Sequence, residues 1–357
     1  MRDNLQVYHT IFRQFCKWFP EERITRMRNL SLLITGLYLS KAVQLPLIVR
    51  KWPVVAKLSS LDNRLRRFLT NSLVEVQAYY HPVAQSLLQL FAGQTIRLVI
   101  DCTKVGFNHR LLMVGIAYKK RTLPLTWSIH PGAKGHVTAA EQIAVLNNVV
   151  NLLPPDTTVW LLADAGFQSV ALLRWMGQQH WHFVIRQKGN IKIRQATTGW
   201  QSLNDIELQP GDTRFLGWIR LTEKHNYGWL NLVAHWAEEQ DEPWYLVCDQ
   251  AFGKRIIRLY KIRMWIEEMY GDMKGHGFDL ESTHLRDEHR ISRLVLGVCL
   301  AFVWLISLGS WVVKSGRRHM VDRKSRRDKS YFRIGLDWVE NCLRLSHDIR
   351  FRFIPYL

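Results

Sequence analysis

Two aspartates follow apolar runs in a way that could place them side by side. Asp101 comes directly after IRLVI, and Asp164 comes directly after VWLLA. A carboxylate that follows a buried strand lies at the end of that strand, so two neighbouring strands would bring these carboxylates together. Because like charges repel at short range, a divalent cation is a common way to stabilise such a pair. Either aspartate alone is more typical of a turn or a helix cap.

A third carboxylate, Glu267, belongs to a helix predicted over 254–277. Advancing about 100° per residue puts four polar residues of this helix on one stripe roughly 60° wide: Tyr260, Arg263, Glu267 and Lys274. The neighbouring Glu268 falls off the stripe. A salt-bridged surface helix would show the same pattern, so the stripe indicates a site only in combination with the two aspartates.

Three carboxylates can catalyse phosphodiester chemistry when they hold two divalent ions. The ions neutralise the developing charge, orient an oxygen nucleophile and stabilise the leaving oxygen. Carboxylate ligands without histidine or cysteine suit Mg2+, and Mn2+ is expected to substitute. His130 and His136 lie near the predicted core, and a structural role with satisfied hydrogen bonds is the favoured interpretation for both.

The elements that must position these residues follow a regular order. Three β-rich runs separated by short polar turns begin near Thr95, and a helix, a strand, a second helix and another strand follow. The order βββαβαβ is typical of a ribonuclease-H-like core. The predicted fold is therefore α/β, with a ribonuclease-H-like (retroviral-integrase-like) catalytic core that contains a β-rich insertion.

We divide the chain into five regions on this basis. A helical region, for which we predict DNA binding from its charge, occupies 1–90, and the first part of the core occupies 91–188. The tryptophan-rich segment 189–250 is the β-rich insertion. The second part of the core, 251–313, carries the helix with the third carboxylate, and 314–357 is a basic, helical C-terminal tail.

The chain is strongly basic, with 49 Lys and Arg against 30 Asp and Glu and a formal net charge of +19. Residues 1–90 hold 13 basic and 5 acidic side chains, and residues 314–357, with a short helix predicted near 335–347, hold 12 and 5. Two basic flanks around a nearly balanced middle are typical of a protein that binds nucleic acid phosphates. Association with ribosomes or with a membrane surface, or solubility alone, would also explain the charge.

One basic amphipathic helix is predicted in the N-terminal region. The segment KLSSLDNRLRRFLTN places four cations around an apolar face: Lys57, Arg64, Arg66 and Arg67. We predict that these cations contact DNA, because the whole chain carries a large positive charge. A solvated surface helix would show the same pattern.

The five cysteines are odd in number and form no CxxC pair, so neither a disulfide framework nor a zinc site is indicated. The N-terminus shows no signal-peptide pattern, and we expect a cytoplasmic protein of bacteria that associates with the nucleoid. The uncharged run 294–313 is long enough to span a bilayer. A fully buried core helix has the same composition, and because no second candidate span exists we interpret the run as core.

The segment 260–274, YKIRMWIEEMYGDMK, fits the Tyr-x2-Arg-x3-Glu-x6-Lys signature of IS4-family insertion-sequence transposases, with every signature residue in place. IDCTKV resembles the first catalytic block of that family, and LLADAGF resembles the second. The resemblance extends over roughly 95–290. One departure is Ala165, because the family usually has a polar or basic residue at that position.

This resemblance implies a role for each matching residue. Asp101, Asp164 and Glu267 would hold the metal ions. The other signature residues would contact phosphates of the transposon end: Tyr260, Arg263 and Lys274. HFVIRQK resembles the strand after the second aspartate, which implies a DNA contact for Arg186. PWYLVCD resembles the segment that supplies a base-supporting tryptophan in hairpin-forming members, so Trp244 is a candidate, although a buried strand position would explain it equally well.

The function implied by the resemblance is that of a DDE DNA transposase of an insertion sequence. Such an enzyme binds terminal inverted repeats and target DNA, cleaves and joins DNA with two Mg2+ ions, and works as a homodimer in the synaptic complex. Cut-and-paste transposition with a hairpin intermediate is part of the same likeness. Two alternatives stay open: a ribonuclease-H-fold DNA nuclease without strand transfer, and a catalytically inactive, transposase-derived DNA-binding protein.

Overall fold

The computed structural model describes residues 2–132, 137–251 and 253–357. The N-terminal region is helical, as predicted, with α1 (Arg2–Trp18), α2 (Ile24–Ser40), α3 (Leu45–Val49), α4 (Leu58–Thr70) and α5 (Val76–Gln89). The later helices are α6 (Ala139–Val150), α7 (Val170–Gln178), α8 (Lys254–Ile262), α9 (Trp265–Met273), α10 (Glu288–Lys314) and α11 (Tyr331–Arg344). The strands are β1 (Ile96–Val105), β2 (His109–Tyr118), β3 (Arg121–Pro131), β4 (Val159–Ala163), β5 (His182–Gln187), β6 (Lys192–Arg194), β7 (Gln201–Ser202), β8 (Thr213–Leu221), β9 (Tyr227–His235) and β10 (Trp244–Cys248).

The strands form one mixed sheet in the order β3-β2-β1-β4-β5-β10-β9-β8-β6-β7. β2 pairs antiparallel with both β1 and β3, whereas β4 pairs parallel with both β1 and β5. With α6 between β3 and β4 and α7 between β4 and β5, the observed order is the βββαβαβ that the sequence predicts. The molecule is therefore a mixed α/β protein built on a large sheet.

The segment 189–250 continues the sheet of the core. β10 pairs antiparallel with β5, and β9 pairs with β10, so the strands of the predicted β-rich insertion continue the sheet of the core. All five residues of β10 are buried. A central strand with covered faces is expected to be apolar throughout, as β10 is. The segment 189–250 is therefore part of one continuous sheet.

Helix α10 lies at the centre of the molecule. It packs against β3 and against α2, α4, α5 and α11, and every residue from Leu294 to Ser310 is buried. In the part of the chain that the structure describes, α10 is the one helix with the length and composition of a membrane span, and 89% of its most apolar stretch is buried inside the molecule. The run 294–313 is thus packed as a core helix, as interpreted from the sequence.

Helices α10 and α11 approach each other at two glycines. A Cβ atom on Gly309 would lie 1.9 Å from the carbonyl oxygen of Tyr331, and one on Gly335 would lie 2.1 Å from the carbonyl oxygen of Leu305. Both neighbouring atoms belong to helix backbones, so neither can move aside without shifting a helix in a densely packed interior. Glycine at these two positions is what allows α11 to lie directly on α10.

We expect Gly309→Ala to lower the free energy of unfolding by about 3 kcal/mol, because the added methyl group overpacks the α10–α11 contact. Urea unfolding followed by circular dichroism measures the change. Gly177→Ala is the matched control. Gly177 lies within α7, and a Cβ added there has no heavy atom within 4 Å, so this substitution should stabilise the protein by up to about 1 kcal/mol. A Gly309→Ala protein as stable as the parent would contradict this packing.

The C-terminal helix begins and ends a few residues earlier in the sequence than the predicted range 335–347. α11 spans Tyr331–Arg344. The hydroxyl of Ser330 accepts a hydrogen bond from the backbone amide of Arg333 and so caps the start of the helix. A serine directly after the basic stretch 316–329 is the start signal that the prediction overlooked.

Candidate active site

Asp101 and Asp164 follow paired positions on two neighbouring parallel strands. Ile100 of β1 is paired with Ala163 of β4, and each aspartate is the next residue along the chain. Asp164 lies directly after the end of β4, as predicted. Asp101 does not end its strand, because β1 continues to Val105 in an antiparallel pairing with β2. The two aspartates line one cleft of about 360 Å³.

Backbone amides hold both carboxylates in place. The Asp101 carboxylate accepts a hydrogen bond of 2.8 Å from the Cys102 amide, and the Asp164 carboxylate accepts one of 2.8 Å from the Gly166 amide. The second bond caps a short 3-10 turn that begins at Ala165. The two acidic groups are therefore positioned by main chain, and the departure from the family pattern at Ala165 leaves the placement of Asp164 intact.

The surroundings of Asp101 raise its pKa to about 7. Burial is the largest cause. The nearby carboxylates of Asp164 and Glu267 raise the pKa further, while Arg263 and the amide of Cys102 lower it. A buried carboxyl beside two other carboxylates favours a proton or a cation as neutralising charge. A carboxyl with a raised pKa in a cleft is typical of a functional site.

The helix predicted over 254–277 is divided into α8 and α9 by an overwound turn. The Arg263 amide bonds to the Tyr260 carbonyl and the Glu267 amide bonds to the Met264 carbonyl, which are three-residue steps in place of four-residue steps. Arg263 and Met264 keep right-handed helical dihedral angles. The prediction of one unbroken helix is therefore wrong, although the chain winds in the same sense through the turn and Glu267 still faces Arg263.

Arg263 joins Glu267 to Asp101. One guanidinium nitrogen lies 2.5 Å from Glu267 Oε1, and another lies 3.6 Å from Asp101 Oδ2. Arg263 is buried, whereas the side chain of Glu267 is 47% exposed. Among the residues that the structure describes, no group of three or more His, Cys, Asp or Glu side chains is arranged to hold a metal ion. The guanidinium supplies the neutralising charge between the two carboxylates in this structure.

Tyr270 and Lys274 form hydrogen bonds with β1 at and near Asp101. Tyr270 is buried, and its hydroxyl donates a hydrogen bond of 3.0 Å to the carbonyl oxygen of Asp101. Lys274 Nζ donates to Thr103 Oγ1 at 2.7 Å and forms an ion pair of 2.6 Å with Glu281. Lys274 is among the residues selected from the sequence, whereas Tyr270 is not. Tyr270 lies only about 20° from the edge of the predicted stripe at 100° per residue, which is the signal that could have identified it.

Tyr260, Trp244 and Arg186 form a group next to the aspartates. Tyr260 is 2% exposed and packs edge-on against Trp244, with 5.0 Å between the ring centroids. Burial is the main reason that the pKa of Tyr260 is raised to about 12. Trp244 is also buried, and Arg186 forms an ion pair of 2.6 Å with Glu242. In this structure the three side chains contact other groups of the protein, and the DNA contacts predicted for them stay predictions.

Three of the four N-terminal cations that were predicted to contact DNA are exposed: Lys57, Arg66 and Arg67. Arg64 differs, because its Nε donates a hydrogen bond of 2.8 Å to Asn29 of α2. Its guanidinium also lies 5.7 Å from the ring centre of Trp52. Arg64 therefore packs against the neighbouring helical region, and the four cations do not share one exposed face.

Three cations line the cleft with the two aspartates: Lys104, Arg110 and Lys188. None of the three was selected from the sequence. Arg110 lies opposite Lys104 in the β1–β2 pair, which depends on the register of a hairpin. Lys188 directly follows β5, the parallel neighbour of β4. A lysine after the next parallel strand is the signal that could have identified Lys188, because parallel strands end at the same edge of a sheet.

His130 does not line the cleft. Its Nε2 lies 2.7 Å from the hydroxyl of Ser128, and its Nδ1 lies 3.0 Å from the Glu141 carboxylate. Both ring nitrogens have partners, which agrees with the structural role interpreted from the sequence. His136 lies outside the described residues.

Comparison with known proteins identifies the class. The model of the transposase DDE domain family matches residues 98–304, which is more than half of the chain, and the chain belongs to this family. None of the curated protein sequences matches the chain. Among solved structures, the cryo-EM structure of the piggyBac transposase synaptic complex with hairpin DNA is similar, with a TM-score of 0.43 and 11% identity over 91% of this chain and 73% of that chain.

Proposed function

We propose that the protein is a DNA transposase of an IS4-type insertion sequence, with a ribonuclease-H-like catalytic core. The observation that supports this most strongly is the pair Asp101 and Asp164 at adjacent positions of β1 and β4, with Glu267 tied to Asp101 through Arg263. Membership of the transposase DDE domain family supplies the class. The signature that ends at Lys274 supports the IS4 assignment.

The carboxylate set suits Mg2+. Asp101 and Asp164 line one cleft and offer hard oxygen ligands, which Mg2+ prefers and Mn2+ also accepts. Glu267 would join them by exchanging its ion pair with Arg263 for the metal, and Arg263 would then be free to contact a phosphate. When two such ions are bound, they activate the attacking oxygen and stabilise the leaving oxygen of the phosphodiester.

The cations of the chain would bind DNA around the phosphate that is cleaved. Lys104, Arg110 and Lys188 share the cleft with the aspartates. Lys274 contacts Thr103, two residues beyond Asp101 on the same strand. Positive side chains at these positions attract the phosphate backbone and offset the negative potential of the carboxylates. The cations that would bind phosphate and the carboxylates that would hold metal thus lie together around one cleft.

The expected partners are double-stranded DNA and a second copy of the chain. The DNA comprises the terminal inverted repeats of the element and the target. Two ends must be brought together for cut-and-paste transposition, so we propose a homodimer in the synaptic complex. The setting would be the bacterial cytoplasm, at the nucleoid.

A hairpin intermediate is part of the same proposal. Closing a DNA end into a hairpin requires a base to leave the stack, and an aromatic surface lowers the cost. Trp244 would have to leave its contact with Tyr260 to provide that surface. A denaturing gel detects the hairpin as a strand of twice the original length, and its absence during productive transposition would exclude this step.

A strand-transfer assay separates a transposase from the two alternatives. The purified protein is incubated with Mg2+, a duplex bearing the terminal inverted repeat with a free 3′-hydroxyl, and a supercoiled plasmid. The repeat is identified in the genome as short inverted sequences that flank the reading frame. A transposase joins the duplex to the plasmid. A nuclease without strand transfer would cut the terminal duplex but yield no joined product, and an inactive DNA-binding protein would do neither.

A further inference from the structure

A basic cleft lies between α4 and the beginning of α10, apart from the carboxylate site. It has a volume of about 710 Å³ and is lined by arginines and small polar residues: Arg66, Arg67, Arg290, Ser60, Asn63 and Thr70. No acidic residue is among the described residues that line it. Two cations of the predicted basic helix are therefore joined by a third from a distant part of the chain, which helical periodicity alone could not show.

Buried contacts hold the two walls of the cleft together. Arg293, one turn beyond Arg290 on α10, is 9% exposed. It donates hydrogen bonds of 3.0 Å to the Leu69 carbonyl and 2.9 Å to the Val74 carbonyl. Leu69 lies in the last turn of α4, where carbonyls lack partners within the helix. Because a buried arginine satisfies this carbonyl, α4 is anchored to α10 and the cleft is preformed.

The cleft is linked through Arg66 and a neighbouring cavity to the end of β1, the strand that carries Asp101. Arg66 also lines a second cavity of about 280 Å³, together with Thr283 and Leu285. A Cβ atom on Gly106, directly after β1, would lie 3.1 Å from the Thr283 carbonyl oxygen. Asp101 and Gly106 are separated by about 17 Å along an extended strand. A duplex covers that distance in about 5 base pairs, so DNA that follows β1 from the aspartates would reach the cleft about that far from the cleaved phosphate.

We propose that this cleft binds the sugar-phosphate backbone of the transposon-end duplex, about half a helical turn or more from the cleaved phosphate. The inference rests on the proposed function, because it takes the DNA to continue from the aspartates along β1. Arginine, serine, threonine and asparagine are the side chains that bind phosphate and sugar oxygens. Such contacts set the position of the protein on DNA without reading its sequence. The occupant is therefore duplex DNA held by its backbone.

Arg67 and Arg290 are the residues to change. They lie on opposite walls of the cleft, whereas Arg66 is engaged by an ion pair of 2.6 Å with Asp62. Binding of a fluorescent duplex of about 30 mixed-sequence base pairs is measured by anisotropy in EDTA at several NaCl concentrations. Arg67→Ala with Arg290→Ala should weaken binding at least about 10-fold and lower the slope of log K against log salt by about 2, because two arginines no longer neutralise phosphates.

Two matched variants separate the cleft from general charge. Replacing Arg67 and Arg290 by lysine keeps both charges and should keep the salt slope. Replacing Arg194 and Arg214 by alanine removes the same charge from exposed positions outside the cleft and should leave the slope unchanged. Urea unfolding confirms that each protein is folded. An unchanged slope in the folded Arg67→Ala/Arg290→Ala protein, or an equal decrease in the Arg194/Arg214 pair, would overturn the proposal.

The distance along the DNA is tested by phosphate-ethylation interference on the terminal duplex. Ethylation of some phosphates should inhibit binding of the parent but not of the Arg67→Ala/Arg290→Ala protein. We expect these phosphates to lie about 5 base pairs or more from the cleavage site. If all such phosphates lie beside that site, the assignment is overturned.

Since binding is measured without metal, Asp101→Asn should bind like the parent. A failure of the transposase proposal would appear as absent strand transfer with the binding defect intact. If the cleft proposal fails, the parent still catalyses strand transfer, but the Arg67→Ala/Arg290→Ala protein binds DNA like the parent.

Discussion

Asp101→Asn, Asp164→Asn and Glu267→Gln should each lower Mg2+-dependent cleavage of the transposon end by at least about 1000-fold, which corresponds to about 4 kcal/mol. Each substitution keeps the shape of the side chain and removes the charge that would hold a metal ion. Cleavage is measured with a labelled terminal duplex on a denaturing gel. Binding in EDTA should stay within about threefold of the parent, because the surrounding cations are unchanged.

Glu268 provides the matched control for Glu267. The Glu268 side chain is 59% exposed and pairs with Arg121, which also forms an ion pair of 2.6 Å with the buried Asp272. Arg121 therefore keeps Asp272 as a partner after Glu268→Gln, and because Glu268 itself is exposed, losing its ion pair should cost little stability. Glu268→Gln should cleave within about twofold of the parent. If Glu267→Gln cleaves as well as Glu268→Gln, Glu267 is not the third ligand.

The metal-free protein should lose stability between about pH 4 and pH 7, and Asp101 should account for the loss. Its pKa in the folded protein is raised to about 7 from an ordinary value of 3.8, chiefly by burial. The folded protein thus keeps a proton that the unfolded chain releases in this range. The free energy of unfolding therefore falls as pH rises, by at most about 4 kcal/mol from this residue.

Urea unfolding in EDTA at pH 5 and pH 8 measures this dependence. Asp101→Asn lacks the titrating group. Relative to the parent, its free energy of unfolding should therefore be higher at pH 8 than at pH 5. Mg2+ at pH 8 should stabilise the parent, since a ligand that binds only the folded state raises its stability, and should stabilise Asp101→Asn much less. A difference between the two proteins that is the same at both pH values would contradict the raised pKa of Asp101.

The succession of strands and helices along the core was predictable from the sequence because hydrophobic patterning reports burial. VWLLA has no polar residue, and all five of its positions are buried in β4, as expected for a parallel strand covered on both faces. The same reasoning placed Asp164 correctly at the end of β4. It placed Asp101 at a strand end incorrectly, because the antiparallel pairing with β2 extends β1 beyond the edge of β4.

The parts of the site that arise from tertiary packing could not be predicted. The assumption of one regular helix with 100° per residue identified Glu267. It could not show the overwound turn at Arg263, which depends on hydrogen bonds between individual residues. The same method grouped Arg64 with the exposed cations of α4, whereas its bond to Asn29 directs it toward α2. Arg290 joins the basic cleft through the packing of α10 on α4, and no local pattern contains that information.

Iron-mediated cleavage of the protein chain tests most directly whether these three carboxylates hold metal. Fe2+ bound in place of Mg2+, with ascorbate and peroxide, generates hydroxyl radicals that cut the backbone close to the ion. In the presence of terminal DNA, we predict cuts near residues 101, 164 and 267 that excess Mg2+ suppresses and that Asp101→Asn or Glu267→Gln abolishes. Cuts confined to other parts of the chain, or cuts at these positions that both variants retain, would contradict the proposed metal site.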